Sequence, residues 1–111
     1  KALLRRPKQA LSQTITIRDL ELNTSTFEVL RDKIPVILSR KEFSLVEFLM
    51  RHPGRVFTKD QIIQTVWPYD SDILPNTVEV YIGYLRNKID KPFKNKKPLI
   101  HTVRGFGYKI E

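Results

Sequence analysis

The hydrophobic residues change period along this chain, and that change sets the order of its elements. Ile15 and Ile17, Phe27 and Val29, and Ile34, Val36 and Leu38 alternate with mostly polar neighbours, the pattern of half-buried strands. Arg31-Asp32-Lys33 predicts a tight turn between the last two. Pro35 cannot donate to a ladder, so its strand is expected at an edge. From Ser39 the period becomes helical. Ser39 with Glu42 forms a capping box ahead of Phe43, Val46 and Leu49, with Leu45, Phe48 and Met50 widening the apolar face. His52-Pro53-Gly54 predicts the stop. Thr58 with Gln61 is a second capping box, opening a short helix whose buried face is Ile62, Ile63, Val66 and Trp67. After the acidic loop of residues 68–74, a third helix is expected from Pro75 or Asn76 to Asp90. Pro75 suits its first turn, and Val78, Ile82, Leu85 and Ile89 form one narrow stripe. A lysine-rich connection over 91–97 leads to a closing hairpin: 99–103 outward, Arg104-Gly105-Phe106 turning, 107–110 back.

Sheet, three helices and hairpin, with the last two helices joined by seven residues, outline an α+β winged helix-turn-helix. The length of 111 residues fits one core. No apolar run approaches a membrane span, and none resembles a signal peptide, so a cytoplasmic protein without a membrane partner is expected. Cysteine is absent, which excludes disulfides and thiolate metal sites. The net charge of +8 is uneven. Residues 1–8 carry +4, residues 9–85 carry eight basic and ten acidic side chains, and residues 86–111 carry eight basic side chains against Asp90 and Glu111. A polycationic C-terminal quarter attracts nucleic acid or an anionic surface.

Five segments, in this order and at these spacings, carry a specific likeness. They are Leu38-Ser39-Arg40-Lys41-Glu42-Phe43, Arg51-His52-Pro53-Gly54-Arg55-Val56, Asn76-Thr77-Val78-Glu79-Val80-Tyr81-Ile82, Leu85-Arg86-Asn87-Lys88-Ile89 and Thr102-Val103-Arg104-Gly105-Phe106-Gly107-Tyr108. With them the chain from Ile15 to Ile110 resembles the C-terminal effector domain of OmpR/PhoB-family response regulators. The resemblance implies an N-terminal four-stranded antiparallel sheet, a three-helix bundle and a C-terminal hairpin wing over residues 12–111. It implies double-stranded DNA as partner, in direct repeats at promoters, with the third helix in the major groove and the wing in the minor groove. Residues 1–11 resemble a linker and the end of a preceding receiver domain, itself not in this chain and phosphorylated through a histidine kinase. The loop Pro68, Tyr69, Asp70, Ser71, Asp72, Ile73 and Leu74 matches a segment that in some members touches RNA polymerase. A monomer that pairs in tandem on DNA, with no cofactor and no metal, is the implied assembly.

At about 100° per residue, the stripe Val78, Ile82, Leu85 and Ile89 turns Thr77, Val80, Tyr84 and Asn87 outward. Thr77, Val80 and Tyr84 are the expected base-facing residues, because threonine and valine can meet thymine methyls and tyrosine offers a donor and a flat surface. Asn76, Tyr81, Arg86, Asn87 and Lys88 are assigned to phosphates, as are Thr102, the Gly105 amide, Tyr108 and the indole of Trp67, which also has a packing role. Glu79 can accept from cytosine or sit in an ion pair. Some members have two adjacent arginines where this chain has Gly83 and Tyr84, and often arginine in place of Asn76. Bidentate guanine readout is therefore weakened, and an A·T-tolerant site is expected. Arg104, poised at a glycine-bounded turn, is expected in a narrow A·T minor groove. Phe106 fits either core or surface.

Rival functions have less behind them. His52 and His101 stand in turn or strand contexts, and no catalytic set or phosphate-cradling glycine loop accompanies them, so no enzyme is expected. The aromatic sheet motif of common RNA modules is missing. A winged-helix protein-interaction module without DNA binding remains the alternative.

Overall fold

The computed structural model describes residues 13–69 and 72–111. The expected linker and receiver remnant, 1–11, lies outside them, as do Asp70 and Ser71. Four short strands open the fold: β1 (Thr14–Ile17), β2 (Leu20–Asn23), β3 (Val29–Arg31) and β4 (Ile34–Val36). They form an antiparallel meander in chain order. Its register aligns Ile15, Leu22, Val29 and Val36 in one row and Ile17, Leu20, Arg31 and Ile34 in the next. Leu20 and Leu22 sit in the core. Pro35 lies in the edge strand β4, where a missing N–H costs no ladder bond.

Two of the strand expectations need correction. Phe27 is not in a strand. It adopts φ 63° in the turn ahead of β3, where Asn23 organises the backbone by accepting from the Ser25 and Thr26 amides, and its ring meets Phe43 edge-on at 5.2 Å. Leu38 follows β4 outside the sheet. The β3–β4 turn is Asp32-Lys33 alone, both at positive φ, the backbone twist that a two-residue hairpin needs. Arg31 belongs to β3 and points into the protein.

The helices start where the capping boxes require. In α1 (Arg40–Met50) the Ser39 amide donates to Glu42 at 2.8 Å and the Glu42 amide donates to the Ser39 hydroxyl at 3.2 Å. In α2 (Lys59–Val66) Thr58 and Gln61 do the same at 2.8 and 3.1 Å. Helix α1 closes two residues before its expected stop, and Gly54 then turns the chain at φ 80°. Helix α3 (Pro75–Leu85) runs on through a π-helical turn (Arg86–Asp90), whose wider ring is closed by the Lys91 amide donating to the Arg86 carbonyl at 2.8 Å. Its stripe Val78, Ile82, Leu85 and Ile89 is buried against α1 and α2 residues Leu45, Leu49, Ile62 and Val66.

Strands β5 (Ile100–Val103) and β6 (Gly107–Ile110) form the closing hairpin. Phe57 adds a one-residue bridge on the other edge of β6. Its amide donates to the Tyr108 carbonyl at 2.9 Å and its carbonyl accepts from the Tyr108 amide at 3.0 Å. No helix among the described residues is long and apolar enough to cross a membrane.

Candidate nucleic-acid interface

A cleft of about 620 Å³ separates the starts of α2 and α3 from the hairpin, with Lys59, Pro75 and Glu79 on one wall and Thr102 to Tyr108 on the other. Elsewhere on α3, Val80 and Tyr84 are 45% and 46% exposed, unusual for large apolar side chains on a packed helix. Asn76 and Asn87 are exposed and Thr77 is half-buried. Tyr81 stands between two other rings, edge-on to Trp67 at 5.1 Å and to Tyr84 at 5.4 Å. Trp67 is buried, with the Lys41 ammonium 5.9 Å above its ring. The structure thus gives Trp67 its packing role and makes it the base of an aromatic row ending at Tyr84. Gly83 leaves a gap in the helix surface, where an added Cβ would meet nothing within 4 Å.

Ion pairs hold the rest of α3. Glu79 takes the Lys59 ammonium across the cleft edge, and its carboxylate holds the Lys59 pKa above the ordinary lysine value. Of the two roles open to Glu79, the structure shows the ion pair. Lys88, expected on phosphate, donates to Glu42 at 2.7 Å. Burial pushes the Glu42 carboxyl up in pKa, but the Lys88 ammonium and the Ser39 amide and hydroxyl outweigh it, leaving the group below its usual value. A partly exposed ammonium spent on a buried carboxylate is anchored in the fold, so Lys88 is chiefly an internal partner. Arg86 reaches the hairpin, donating to the Thr102 hydroxyl at 2.6 Å. These two expected phosphate residues are thereby brought together.

On the hairpin side Arg104 is exposed at the turn and Gly105 takes φ 81°. The Phe106 amide closes the turn on the Val103 carbonyl at 2.9 Å, and the Phe106 ring is 70% exposed, which places it on the surface. Gly107 has φ 152°, and a Cβ there would fall 1.9 Å from the Phe57 carbonyl oxygen. Only glycine allows the hairpin to sit this close to the chain ahead of α2. The Tyr108 ring is buried and lines the cleft from within. Of the loop before α3, Tyr69 and Leu74 are exposed and Ile73 packs against the core.

Phe57 and Lys59 were not anticipated. One seats the hairpin and the other neutralises Glu79, yet neither carries a local signal, because their partners lie 51 and 20 positions away in the sequence.

A helix-turn-helix with an outward α3 face, completed by a hairpin that presents arginine beside it, defines a winged-helix effector domain. The chain belongs to the OmpR/PhoB family: the family model described as "Transcriptional regulatory protein, C terminal" matches residues 33–110. The phosphate regulon transcriptional regulatory protein PhoB of Rhizobium meliloti is 43% identical over 112 residues, covering 100% of this chain and 48% of that protein. The response regulator DrrB of Thermotoga maritima, an OmpR/PhoB homolog, superposes with a TM-score of 0.77 at 26% identity, covering 98% of this chain and 51% of that one. The Klebsiella pneumoniae RstA DNA-binding domain, solved in complex with the RstA box, superposes with a TM-score of 0.76 at 26% identity, covering 88% and 96%. The chain spans about half the length of the curated relatives it matches.

Proposed function

We propose that this domain binds duplex DNA as the output module of a two-component response regulator. In this reading α3 lies in the major groove and the hairpin wing in the adjacent minor groove. The observation that carries it is the cleft. Pro75 and Glu79 of α3 line one side of it and the exposed Arg104 the other, and Val80 and Tyr84 stand exposed elsewhere on the same helix, so a phosphate strand fits between the two elements. Val80 and Thr77 offer methyl contacts, Tyr84 a flat donor, and Asn76, Tyr81, Asn87, Arg86, Thr102 and the Gly105 amide phosphate contacts. Glu79 is kept from repelling phosphates by Lys59. RstA, whose domain was solved on its DNA box, lends the fold-level support.

The wider reading follows from the relatives. Residues 1–11 join a receiver phosphorylated by a histidine kinase, the domain acts in the bacterial cytoplasm without catalysis, and copies that are monomers alone pair on direct repeats. The loop over 68–74 is the segment offered to RNA polymerase. Selection from a random duplex pool, followed by salt titration, tests the core claim. Log affinity should fall with log salt by about 0.9 per phosphate contact, and A·T pairs should dominate under the wing. A flat salt response overturns it and favours the second reading, a protein-interaction winged helix. One observation speaks for that reading: the exposed part of α3 is largely apolar and its one acid is internally paired.

A further inference from the structure

Arg31 is the most deeply buried charged residue described, 1% exposed, and the DNA-binding reading gives it no role. It leaves the core face of β3 and ends where α3 finishes and the hairpin begins. Its Nε donates to Asp19 at 2.7 Å, its Nη1 to Asp90 at 3.1 Å and to the Ile89 carbonyl, and its Nη2 to the Lys97 carbonyl at 3.1 Å. The Phe93 ring covers the guanidinium at 5.4 Å. Asp90 is the junction. The oxygen that accepts from Arg31 also accepts from the Leu99 amide at 3.0 Å, and its other oxygen accepts from the Ile100 amide at 3.2 Å. One planar fork therefore ties the sheet to the last turn of α3, while the carboxylate it holds ties that turn to Leu99 and Ile100, where β5 begins.

We infer that Arg31 is a positioning residue for the two-groove grip: through Asp90 it fixes the angle at which the wing leaves α3. The inference rests on the DNA-binding reading for its consequence, although the angle itself is a property of the free protein. Cohesion alone does not require such a group. A buried ion cluster is often replaced by apolar side chains with no loss of stability, whereas a five-donor fork in a fixed plane dictates where each partner sits. The partners here are two backbone carbonyls and two carboxylates drawn from β1–β2, α3 and the connection to β5. A rigid duplex fixes the separation of its two grooves, so an error in this angle leaves one groove unfilled when the other is engaged.

The chain has no cysteine, so paired spin labels at Asn76→Cys and Phe106→Cys report the distance from the start of α3 to the wing tip without background. In the free protein this distribution should be narrow, and Arg31→Met should shift or broaden it. On the selected duplex Arg31→Met should lose about tenfold in affinity. Minor-groove protection from hydroxyl radicals should disappear while major-groove methylation interference is kept. The salt slope should fall by about 0.9 for each phosphate that the wing no longer reaches. Arg31→Lys, with a point charge that cannot serve all four partners, should fall between. If Arg31→Met does not fold, Asp90→Asn takes its place with the same readouts. An unchanged distance distribution overturns the inference, whatever the affinity does. So does a loss of affinity with protection in both grooves and the salt slope preserved. Failure of the unsubstituted chain to bind any duplex would instead strike the DNA-binding reading.

Discussion

The wing and α3 face each other across one cleft but are held by different means. Beyond the Asp90 anchor at its start, the wing is held by backbone. Phe57 exchanges both main-chain hydrogen bonds with Tyr108, and Gly107 lets the strands approach to a distance that no side chain tolerates. Helix α3 is held by side chains: its buried stripe, and ion pairs of Lys59 on Glu79 near its start and of Lys88 on Glu42 and Arg31 on Asp90 near its end. A backbone seat is sensitive to one methyl group and indifferent to pH. A seat that includes ion pairs is sensitive to charge removal and carries a pH signature. The surface is arranged to match, with the rigid hairpin displaying Arg104 and the ion-paired helix displaying uncharged Val80 and Tyr84.

The largest effect expected from this contrast is at Gly107. Gly107→Ala should cost about 3 kcal/mol or more in urea unfolding, because the Cβ overlaps the Phe57 carbonyl. Gly105→Ala has the same need for positive φ but no neighbour, and should cost about 1 kcal/mol. Equal costs would break the claim that the seat, rather than the turn, demands glycine.

Next comes the ion-paired side. Lys88→Met leaves the buried Glu42 carboxylate without its cation and should cost about 2 kcal/mol near neutral pH. The pH dependence carries a definite sign. In the unsubstituted chain the Glu42 pKa lies below its ordinary 4.5, so its contribution is complete above that value and is lost as pH falls through the lower folded value. Without Lys88, two of the causes that lower it are lost and the pKa rises from its folded value. The penalty should then shrink as pH is lowered from neutral towards 4.5. A difference in urea midpoint that stays constant across that range would refute the assignment.

Arg104→Ala should leave the melting temperature in place and lower duplex affinity about tenfold, or ~1.4 kcal/mol, chiefly at A·T-rich flanks. Uniform affinity across flank sequences would remove Arg104 from the minor groove. The smallest effect has the opposite sign. Gly83→Ala should stabilise the domain by about 1 kcal/mol, since the helix gains propensity and the new Cβ meets nothing. Its affinity should nevertheless drop, because the gap it fills lies beside Tyr84, which the proposed function turns towards DNA; unchanged affinity would show that no DNA backbone comes close there.

What the sequence showed plainly was whatever depends on near neighbours. Both capping boxes, the α3 stripe and the glycine-bounded hairpin involve residues within a few positions of one another, and all four formed as read. The sheet was only partly legible. Alternation placed Phe27 with Val29, whereas Asn23 bends the chain and gives Phe27 a positive φ. Leu20 and Leu22 lacked a long enough run to stand out. The ion pairs were least legible. Arg31 read as a turn residue beside Asp32 and Lys33, because its acceptors Asp19 and Asp90 lie 12 and 59 positions away. Lys88 read as a phosphate ligand because its position on the helix surface is visible and its attachment to Glu42, 46 positions back, is not. Local spacing reports capping and amphipathicity, but the choice of partner for a charge is made by the packing of distant elements.

The position of β6 also has a consequence in time. Gly54, Phe57 and Leu99 all find backbone partners among residues 108–111, and Tyr108 and Ile110 lie in the core. On a ribosome those residues emerge after everything they pack upon. A nascent chain therefore has its three helices available while Phe57 and Leu99 still lack their cover and Arg104 has no frame. The frame of Arg104 is complete only when β6 has joined β5 and Phe57.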